Sequence, residues 1–496
     1  MNGWPFNLEK TAQKKIMQPD PMDNNSINNS RFEKKWHIFL LVAVSIFMST
    51  LDSSIVNVAL PYMMQDLKTD IQTIQWVVLI YLTTVSSLLL TFGRLSDIKG
   101  RKSIYILGFT VFVAGSFFCG MAKAPWVLIL SRAFQGGGAA MLMACSPAMI
   151  VDAFPVQERG KALGMIGAVV AAGLTIGPVA GGFLLDYFSW QYIFYINIPI
   201  GIAASLGAMM ILTKNQVKQQ IQEPIDKTGS FLLIMILSSL ILFLTQVSDQ
   251  GLFSVFSLGA SGVFVVATTA FVVIETRMDF PLFDFNLLKI KLFVFPVIAS
   301  AILFAALFMI VFLMPFYLTY PCGFSASGTG SIMVVPFLFL LVVSPISGMM
   351  YDRWGSRRLC MVGMGSIAAS LMALTTLSPS MGVISILWRM ALAGIGTALF
   401  VSPNNTAILS SVPFPQRGIA SGTAALARNL GMVVGVALAG LVFTSSFLAL
   451  THGTTLEQYV HQMEPFFMTS FKRTMVTGSV LAVIGVFITF ARGKET

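Results

Sequence analysis

The chain has 496 residues, of which 56% are hydrophobic and only 10% are charged, and its mean hydropathy is +0.80. Soluble domains carry about a quarter charged residues, so this composition excludes a soluble globule and predicts a polytopic membrane protein. The net charge of +10 requires no nucleic acid, because in so apolar a chain it first reports which membrane face holds Lys and Arg. The four cysteines lack CxxC or CxxxH spacing, and no GxxxxGK[ST] loop occurs, so we predict no metal site, redox centre or nucleotide cofactor.

A polar N-terminal segment comes first and is predicted to be a disordered cytoplasmic tail over residues 1–36. A helix needs about 20 apolar residues to cross a bilayer, and stretches of that length recur about fourteen times. The predicted spans cover residues 37–61, 75–95, 103–122, 125–151, 161–186, 190–212, 228–247, 251–275, 293–318, 327–350, 360–378, 382–405, 418–447 and 470–491.

Basic residues alternate between successive loops. With the N-terminus inside, the predicted cytoplasmic segments collect most of the 31 Lys and Arg, whereas the loops on the other side contain only Lys68 and Lys123. This asymmetry predicts a multi-pass protein of the plasma or inner membrane with both termini cytoplasmic. It also explains the net positive charge as membrane topology.

Residues around the second, fourth and fifth spans recur about 255 residues later along the chain. The matched pairs are Gly93 and Gly348, Asp97 and Asp352, Gly100 and Gly355, Arg101 and Arg357, and Arg132 and Arg389. We therefore predict a six-helix bundle over 37–212, a linker with two extra transmembrane helices over 213–292, a second six-helix bundle over 293–491 and a tail over 492–496. Parallel duplicated halves are typical of alternating-access transporters.

Four motifs stand in order along the first half: LDSSIVNVALP over Leu51–Pro61, GRLSDIKGRK over Gly93–Lys102, RAFQG over Arg132–Gly136 and GLTIGPVAGG over Gly173–Gly182. In these motifs, and over residues 37–491, the chain resembles the major facilitator superfamily, specifically its fourteen-helix drug:proton antiporters of the EmrB/QacA type. The resemblance implies an all-α membrane protein with the major facilitator fold, built from two six-helix bundles plus two inserted helices.

Asp52 is the only acidic residue that the predicted spans place well inside the membrane. A charged carboxylate at the bilayer centre costs about 2.5 to 3.5 kcal/mol on insertion scales, so a retained one indicates a function. Polar residues share one helix face with it, namely Ser45, Ser49, Ser53 and Asn57. Burial favours a protonated carboxyl group and a nearby cation favours the carboxylate. We predict Asp52 as the proton carrier, with a structural hydrogen-bond role as the alternative.

Arg132 lies at a depth on the fourth span that allows contact with Asp52. The resemblance associates this arginine with proton coupling, and Gln135 and Asn57 are predicted to extend the network. The alternative is an arginine whose long side chain reaches the outer surface.

The loop after the second span is predicted to be a conformational latch. Asp97 would pair with Arg101 and Lys102, while Gly93 and Gly100 shape the loop. Asp352 and Arg357 repeat the pattern in the second half. By resemblance these contacts form when the cytoplasmic face is closed, and the alternative is a purely topogenic set of charges.

Glycines repeat along the fifth span at Gly173, Gly177, Gly181 and Gly182 and permit close helix packing. Pro178 removes a backbone hydrogen bond and can kink the helix. Packing alone would account for the glycines. Combined with the proline, the motif resembles the one associated with antiporters rather than uptake systems.

A phenylalanine repeat on the ninth span suggests a substrate cavity that includes Phe304 and Phe308, because aromatic surfaces suit apolar or cationic ligands. Lipid-facing packing is the alternative. Polar residues of the second half could also contact ligand or only satisfy one another, namely Arg389, Asn404, Asn405 and Arg428.

We therefore predict a non-enzymatic, proton-coupled antiporter that exports amphipathic or cationic drugs and toxic compounds. One alternative is an exporter of a specific endogenous lipid or metabolite, and another is a non-transporting membrane receptor on the same scaffold. The expected partners are protons, a small-molecule substrate and membrane lipid, and two halves in one chain predict a monomer. The resemblance to EmrB also implies a periplasmic adaptor protein.

Overall fold

The computed structural model describes residues 23–212, 226–251, 253–278, 285–413 and 416–493, and every regular element in these ranges is helical. Outside the described residues lie residues 1–22 of the predicted tail, the linker segments 213–225 and 279–284, and the end of the chain at 494–496.

The first half contains eight helices, of which α2 and α7 are single turns. Their bounds are α1 Asp23–Asp66, α2 Ile71–Ile74, α3 Trp76–Lys99, α4 Arg101–Gly120, α5 Pro125–Ala153, α6 Val156–Tyr187, α7 Tyr192–Tyr195 and α8 Asn197–Ile211. The helices of the insert are α9 Lys227–Gln250 and α10 Val255–Glu275. The second half comprises α11 Lys291–Thr319, α12 Ala326–Met333, α13 Val335–Leu374, α14 Val383–Ser410, α15 Arg417–Leu450 and α16 Glu464–Ala491.

Thirteen helical segments in the described ranges are long and apolar enough to cross a membrane. One of them, Ala326–Leu374, has 49 residues, more than twice the length that a span requires. Its helix turns at Gly355, whose φ of 70° and ψ of 159° are not helical. This segment therefore contains the tenth and eleventh predicted spans, and the all-α polytopic fold expected from the sequence is confirmed.

The N-terminal helix differs from the expected disordered tail. Helix α1 begins at Asp23, so the polar residues before the first span continue the helix in the described part of the chain. The helical backbone satisfies its own hydrogen bonds whatever the polarity of its side chains, so a polar stretch can extend a membrane helix beyond the apolar span.

The duplication is visible in the backbone. Gly100 precedes α4 at a φ of +91°, and Gly355 at the equivalent turn of the second half has a φ of +70°. A residue with a side chain would be strained at either position, because positive φ favours glycine. These two turns define one end of the molecule, called here the basic face, which carries Lys99, Arg101 and Arg353. The other end is the opposite face.

The same close helix crossing also occurs in each half. A Cβ built on Gly138 in α5 would lie 2.8 Å from the carbonyl oxygen of Gly108 in α4. In the second half, a Cβ on Gly396 would lie 2.6 Å from the carbonyl oxygen of Gly363. Backbones in such contact leave no room for a side chain, which explains these glycines by packing.

The insert packs on the outside of the two halves. Helix α9 contacts α3, α15 and α10, and the Thr91 hydroxyl of α3 donates a hydrogen bond to Ser230 Oγ at 2.7 Å. Helix α10 leaves most of its side chains exposed, including Val265 and Val266. The apolar exposed surface of α10 fits contact with lipid.

Substitution of Gly138 by alanine tests the crossing of α4 and α5. The added Cβ would lie 2.4 Å from the backbone nitrogen of Phe112, so we expect a loss of stability of about 1 to 3 kcal/mol and a lower melting temperature. Gly137→Ala is the matched control, because a Cβ there has no neighbour within 4 Å and should leave the melting temperature unchanged or higher. Equal melting temperatures for the two purified variants would contradict this packing.

Candidate functional site

A buried ion pair lies at the centre of the first half. Arg132 Nη1 of α5 donates to Asp52 Oδ2 of α1 at 2.5 Å, and the side chains are 1% and 0% exposed, respectively. The structure thus brings together the two residues predicted for proton coupling. An arginine that extends to the surface is excluded by this burial.

Two amide side chains complete the contacts of the carboxylate. Gln135 Nε2 donates to Asp52 Oδ1 at 2.9 Å, and Asn197 Nδ2 of α8 donates to the same oxygen at 3.1 Å. Gln135 Oε1 accepts a hydrogen bond from Arg132 Nη1 at 2.7 Å, while its Nε2 also reaches Ser116 Oγ of α4 at 2.8 Å. Gln135 therefore belongs to the network, as predicted from its spacing.

Helices α3 and α7 supply further contacts of the guanidinium. Arg132 Nε donates to the carbonyl oxygen of Val77 at 3.1 Å, and its guanidinium carbon lies 4.0 Å from the centroid of the Tyr81 ring. The Phe194 ring is 5.7 Å away on another side. The π face of an aromatic ring attracts a cation, so these contacts stabilise the arginine in a dry site.

Asn57 does not join this network in the described structure. Its Nδ2 donates to the carbonyl oxygen of Ser53 at 2.8 Å, one turn back on its own helix, and its Oδ1 is buried without a hydrogen-bond partner in the described ranges. The reason is local, because an asparagine inside a helix can bond the carbonyl four residues earlier.

The geometry fits an ionised Asp52, since every group that contacts its oxygens is a donor. Adding a proton to one oxygen would remove an acceptor from these donors and leave the Arg132 charge uncompensated in a buried site. An uncompensated buried charge is strongly unfavourable. Protonation and the arrangement of α1, α5 and α8 are therefore physically linked.

The predicted latch at the basic face is formed within the first half. Arg101 Nη2 donates to Asp97 Oδ1 at 3.0 Å, and Arg101 also bonds the Ala148 carbonyl oxygen at 3.0 Å and pairs with Asp152 at the end of α5. Lys102, expected to pair with Asp97, instead donates to the carbonyl oxygens of Met209 and Leu212. The ammonium group of Lys102, a residue of α4, therefore lies at the C-terminal end of α8, where the helix dipole is negative.

The second copy of the latch has different partners. The Arg357 guanidinium lies 4.5 Å from the centroid of the Phe490 ring of α16. In the described ranges Asp352 forms no ion pair with Arg357, so the acid and base of this copy are not brought together. A Cβ on Gly93 would meet no described residue within 4 Å, so packing in the described ranges does not require that glycine.

The fifth-span glycines pack against two different helices. Gly173, Gly177 and Gly181 lie against α1, where Cβ atoms would come within 3 Å of Thr50, Ser54 and Ile55, respectively. Gly182 instead lies against α12 of the second half, and a Cβ there would be 2.5 Å from the Ala326 carbonyl oxygen.

Pro178 of α6 lies at the same interface between the two halves. A Cβ on Gly330 of α12 would be 2.2 Å from the Pro178 carbonyl oxygen, so the two backbones are in direct contact. The motif thus joins α6 to its own half and to the other half near the opposite face.

Asp186 closes the opposite face with a helix cap that crosses the two halves. Its Oδ1 and Oδ2 accept hydrogen bonds from the backbone nitrogens of Ala326 and Ser327, each at 3.0 Å. A carboxylate at a helix N-terminus compensates both the free N–H groups and the helix dipole. The last turn of α6 is therefore held against the first turn of α12.

Packing along α6 loosens toward the basic face. Among the described residues, a Cβ on Gly160, Gly164 or Gly167 would meet nothing within 4 Å, in contrast to the crowded glycines farther along this helix. In this conformation the two halves are joined at the opposite face.

The predicted cavity residues of the second half separate into structural and unpaired ones. Arg389 joins α14 to the end of α13 through the Ala373 carbonyl oxygen at 2.8 Å and Thr376 Oγ1 at 2.8 Å. Asn404 donates to the Pro296 carbonyl oxygen at 3.0 Å, and Asn405 is exposed. Phe308 is buried, whereas Phe304 and Arg428 are half-buried and lie 6.0 Å apart, ring centroid to guanidinium carbon.

Sequence reasoning missed several members of these sites. Asn197 and Tyr81 contact the ion pair and Ser116 bonds Gln135, but no motif in the sequence links these residues to Asp52. A polar residue in an apolar membrane helix is itself a signal, because it requires a partner there. Asp186 was recognisable only as an acid at the end of a span.

The chain matches the model of the Major Facilitator Superfamily over residues 42–436. It is 34% identical over 417 residues to the riboflavin transporter RibZ of Clostridioides difficile (strain 630), covering 84% of this chain and 89% of that protein. It is 30% identical over 431 residues to the multidrug resistance protein Stp of Mycobacterium tuberculosis (strain ATCC 25618 / H37Rv), covering 86% and 78%.

Solved structures share the fold at low identity. A bacterial homolog of the human lysosomal transporter Spinster superposes with a TM-score of 0.68 at 14% identity, covering 92% of this chain and 97% of that one. A D-xylose-proton symporter superposes with a TM-score of 0.62 at 13% identity, covering 90% and 97%.

Charge balance at the ion pair gives a stability prediction. Asp52→Asn leaves Arg132 as an uncompensated buried cation, so we expect a loss of about 3 to 5 kcal/mol and a clearly lower melting temperature in detergent. The double variant Asp52→Asn with Arg132→Gln removes both charges and should recover much of this loss. A double variant no more stable than Asp52→Asn alone would contradict a charge-based penalty.

Asp186→Asn tests the cap between the halves. The variant loses the negative charge and one acceptor, so we expect the ratio of open to closed opposite faces to rise about tenfold or more. Spin labels at the exposed positions 187 and 457, in a background without the four cysteines, report the distance between the halves.

The matched control is Asp66→Asn. Asp66 lies at the same face but accepts its hydrogen bond from Trp190 Nε1, at 2.7 Å, within the first half. The distribution of spin-label distances in Asp66→Asn should equal that of the wild type. Identical distance distributions for Asp186→Asn and the wild type would show that the Asp186 cap does not hold the two halves together.

Proposed function

The chain belongs to the major facilitator superfamily, and from this premise we propose that it exports amphipathic compounds in exchange for protons. It would do so by alternating access in a cell membrane, with both termini in the cytoplasm and as a monomer. The cargo class includes drugs and toxic compounds, in line with its similarity to the multidrug resistance protein Stp.

One observation carries the proton-coupled part of the proposal. Asp52 is fully buried and is paired with Arg132. It also accepts hydrogen bonds from the side chains of Gln135 on α5 and Asn197 on α8. A carboxylate whose protonation would disrupt contacts among three helices can convert proton binding into helix movement. Ionisable residues in such positions mark proton pathways in membrane transporters.

The proposed transport cycle starts from the conformation described here, in which the opposite face is closed. We assign the basic face to the cytoplasm, because Lys and Arg are enriched on that side of membranes. The present conformation, joined at the opposite face, would then be the one in which substrate enters from the cytoplasm and the proton leaves Asp52. Outward opening requires release of the Asp186 cap and separation of Gly182 from Ala326.

When the opposite face opens, the basic face would close, and its contacts would change. In the present conformation Asp97 and Arg101 bond each other and α5, within one half. Closure of this face would bring the latch to the second half, where its charges could meet the N-terminal end of α15. A helix N-terminus favours an acid such as Asp97.

The direction of coupling rests on the glycine and proline motif of α6. Gly182 and Pro178 contact α12 backbone to backbone, so the sequence that resembles an antiporter motif here forms the seal of the opposite face. A tight seal would limit leakage of protons while the substrate site faces the cytoplasm. The resemblance of this sequence to an antiporter motif is what favours exchange over uptake.

A second candidate is export of one specific metabolite, favoured by the 34% identity to the riboflavin transporter RibZ. A non-transporting receptor is a weaker proposal, because a receptor would not require a balanced ion pair inside the membrane. An adaptor protein is a further proposal that follows from the resemblance to EmrB alone.

Reconstitution into liposomes tests the proposed exchange. A proton gradient with an acidic lumen should drive dye into the lumen through an antiporter, because protons leave in exchange, whereas a proton symporter would move dye out. We expect accumulation of rhodamine 6G or fluorescein that stops when a protonophore collapses the gradient.

The folded double variant Asp52→Asn with Arg132→Gln provides the control for the proton site. It should bind dye but show no gradient-driven accumulation. Gradient-driven accumulation by this variant would exclude Asp52 as the essential carrier. If wild type and variant both fail to respond to the gradient, proton exchange of these dyes is refuted.

A further inference from the structure

Two adjacent polar residues of α15, Arg428 and Asn429, lack partners within the described chain. Arg428 is half-buried and has neither an ion pair nor a hydrogen bond in the described ranges. Asn429 is 5% exposed, and its amide likewise makes no hydrogen bond there. Polar groups in such positions normally find partners, so both require an explanation.

The directions in which the Arg428 and Asn429 side chains point can be inferred from the glycines of the same helix, α15. Arg428 shares a helix face with Gly431 and Gly435, and Cβ atoms on these glycines would lie 2.2 and 2.3 Å from carbonyl oxygens of α11. The arginine therefore points toward α11 and away from lipid. Its guanidinium lies 6.0 Å from the Phe304 ring of that helix.

Asn429 points toward the other half of the molecule. It lies seven residues after Gly422, on the same face, and a Cβ on Gly422 would be 3.2 Å from Leu90 Cδ2 of α3. Arg428 and Asn429 thus flank the gap between α11 of the second half and α3 of the first half. The interface between the halves is where transporters of this architecture hold substrate.

The depth of Arg428 in the membrane makes its charge energetically unfavourable. It lies 11 residues from the start of α15 at Arg417, or roughly 16 Å along the helix, which is about half the thickness of the hydrocarbon core. A charged group at that depth is retained where it has a function.

Three other arginines within the predicted spans show what a structural role looks like. Arg132 has Asp52, Arg389 has the carbonyl oxygens at the end of α13, and Arg473 donates to Ser446 Oγ at 2.9 Å. Among the described residues, Arg428 has only an aromatic ring beside it, that of Phe304 at 6.0 Å. Its missing counter-charge is the feature that points to a ligand.

We propose that Arg428, Asn429 and Phe304 form a substrate site for amphipathic compounds that carry an anionic group on an aromatic body. A guanidinium binds carboxylate, sulfonate or phenolate oxygens through paired hydrogen bonds and stacks on planar rings. Asn429 supplies a further donor beside it, and Phe304 supplies a ring for stacking.

The same site disfavours cations. Among the described residues, the acid buried nearest the membrane centre is Asp52, and its charge is already balanced by Arg132. A cationic ligand next to Arg428 would meet an uncompensated positive charge. This inference rests on the proposed export function for its substrate class but makes a separate statement about which charge is bound.

Two dyes on the same xanthene ring system provide the test. Fluorescein is anionic and rhodamine 6G is cationic, and fluorescence anisotropy measures the affinity of each for the purified protein without any proton gradient. We expect the wild type to bind fluorescein more tightly than rhodamine 6G. Arg428→Gln should weaken fluorescein binding about 10- to 100-fold, as loss of charged hydrogen bonds predicts.

Companion variants separate charge, geometry and folding. Arg428→Lys keeps the charge but not the planar fork, so it should give an intermediate affinity. Asn429→Ala should weaken fluorescein binding without reversing the preference between the dyes. Arg473→Gln removes an exposed arginine elsewhere and should bind as the wild type does, while unchanged melting temperatures exclude misfolding.

The results distinguish this site from the proton exchange. Equal affinity of wild type and Arg428→Gln for fluorescein would overturn the site, even if gradient-driven export is intact. Tighter binding of rhodamine 6G than of fluorescein would also overturn it. Weakened fluorescein binding in Arg428→Gln would support it, even if no proton gradient drives transport.

Discussion

A charged pair withdrawn from both water and lipid is the constraint on which this molecule depends. Arg132 and Asp52 are 1% and 0% exposed, and each is tolerable only because the other is beside it. Gln135 and Asn197 fill the remaining positions around the carboxylate. Any change in the charge of Asp52 therefore affects α1, α5 and α8 together, which gives a single proton the means to alter helix packing.

The second requirement is a boundary between the halves that can open. On the opposite face this boundary consists of backbone contacts at Gly182 and Pro178 and of one carboxylate, Asp186, that caps a helix of the other half. Backbone contacts through glycine bring helices close without interlocked side chains. Such an interface is tight when closed and can separate without repacking a core. Proton site and boundary share α1, against which Gly173 and Gly177 pack.

Much of this organisation could be predicted from the sequence, because it depends on spacing within one helix. Asp52, Arg132 and Gln135 are examples. The contact of Asp52 with Arg132 on another helix was predicted from their depths and from the resemblance, whereas Asn197, which no motif marks, could not be predicted, since the rotation of its helix depends on tertiary packing. Asn57 was expected in the network but bonds its own helix instead. The same limit applies to Arg428, whose charge has no ion-pair partner in the part of the chain that the structure describes.

Infrared difference spectroscopy of the protein in bilayers, recorded during a pH titration, tests the central claim most directly. A carboxyl group that takes up a proton in a dry site gives a C=O stretching band that carboxylates lack. The account predicts such a band in the wild type, its loss in Asp52→Asn and its persistence in Asp97→Asn. A titrating band that survives unchanged in Asp52→Asn would contradict Asp52 as the proton carrier.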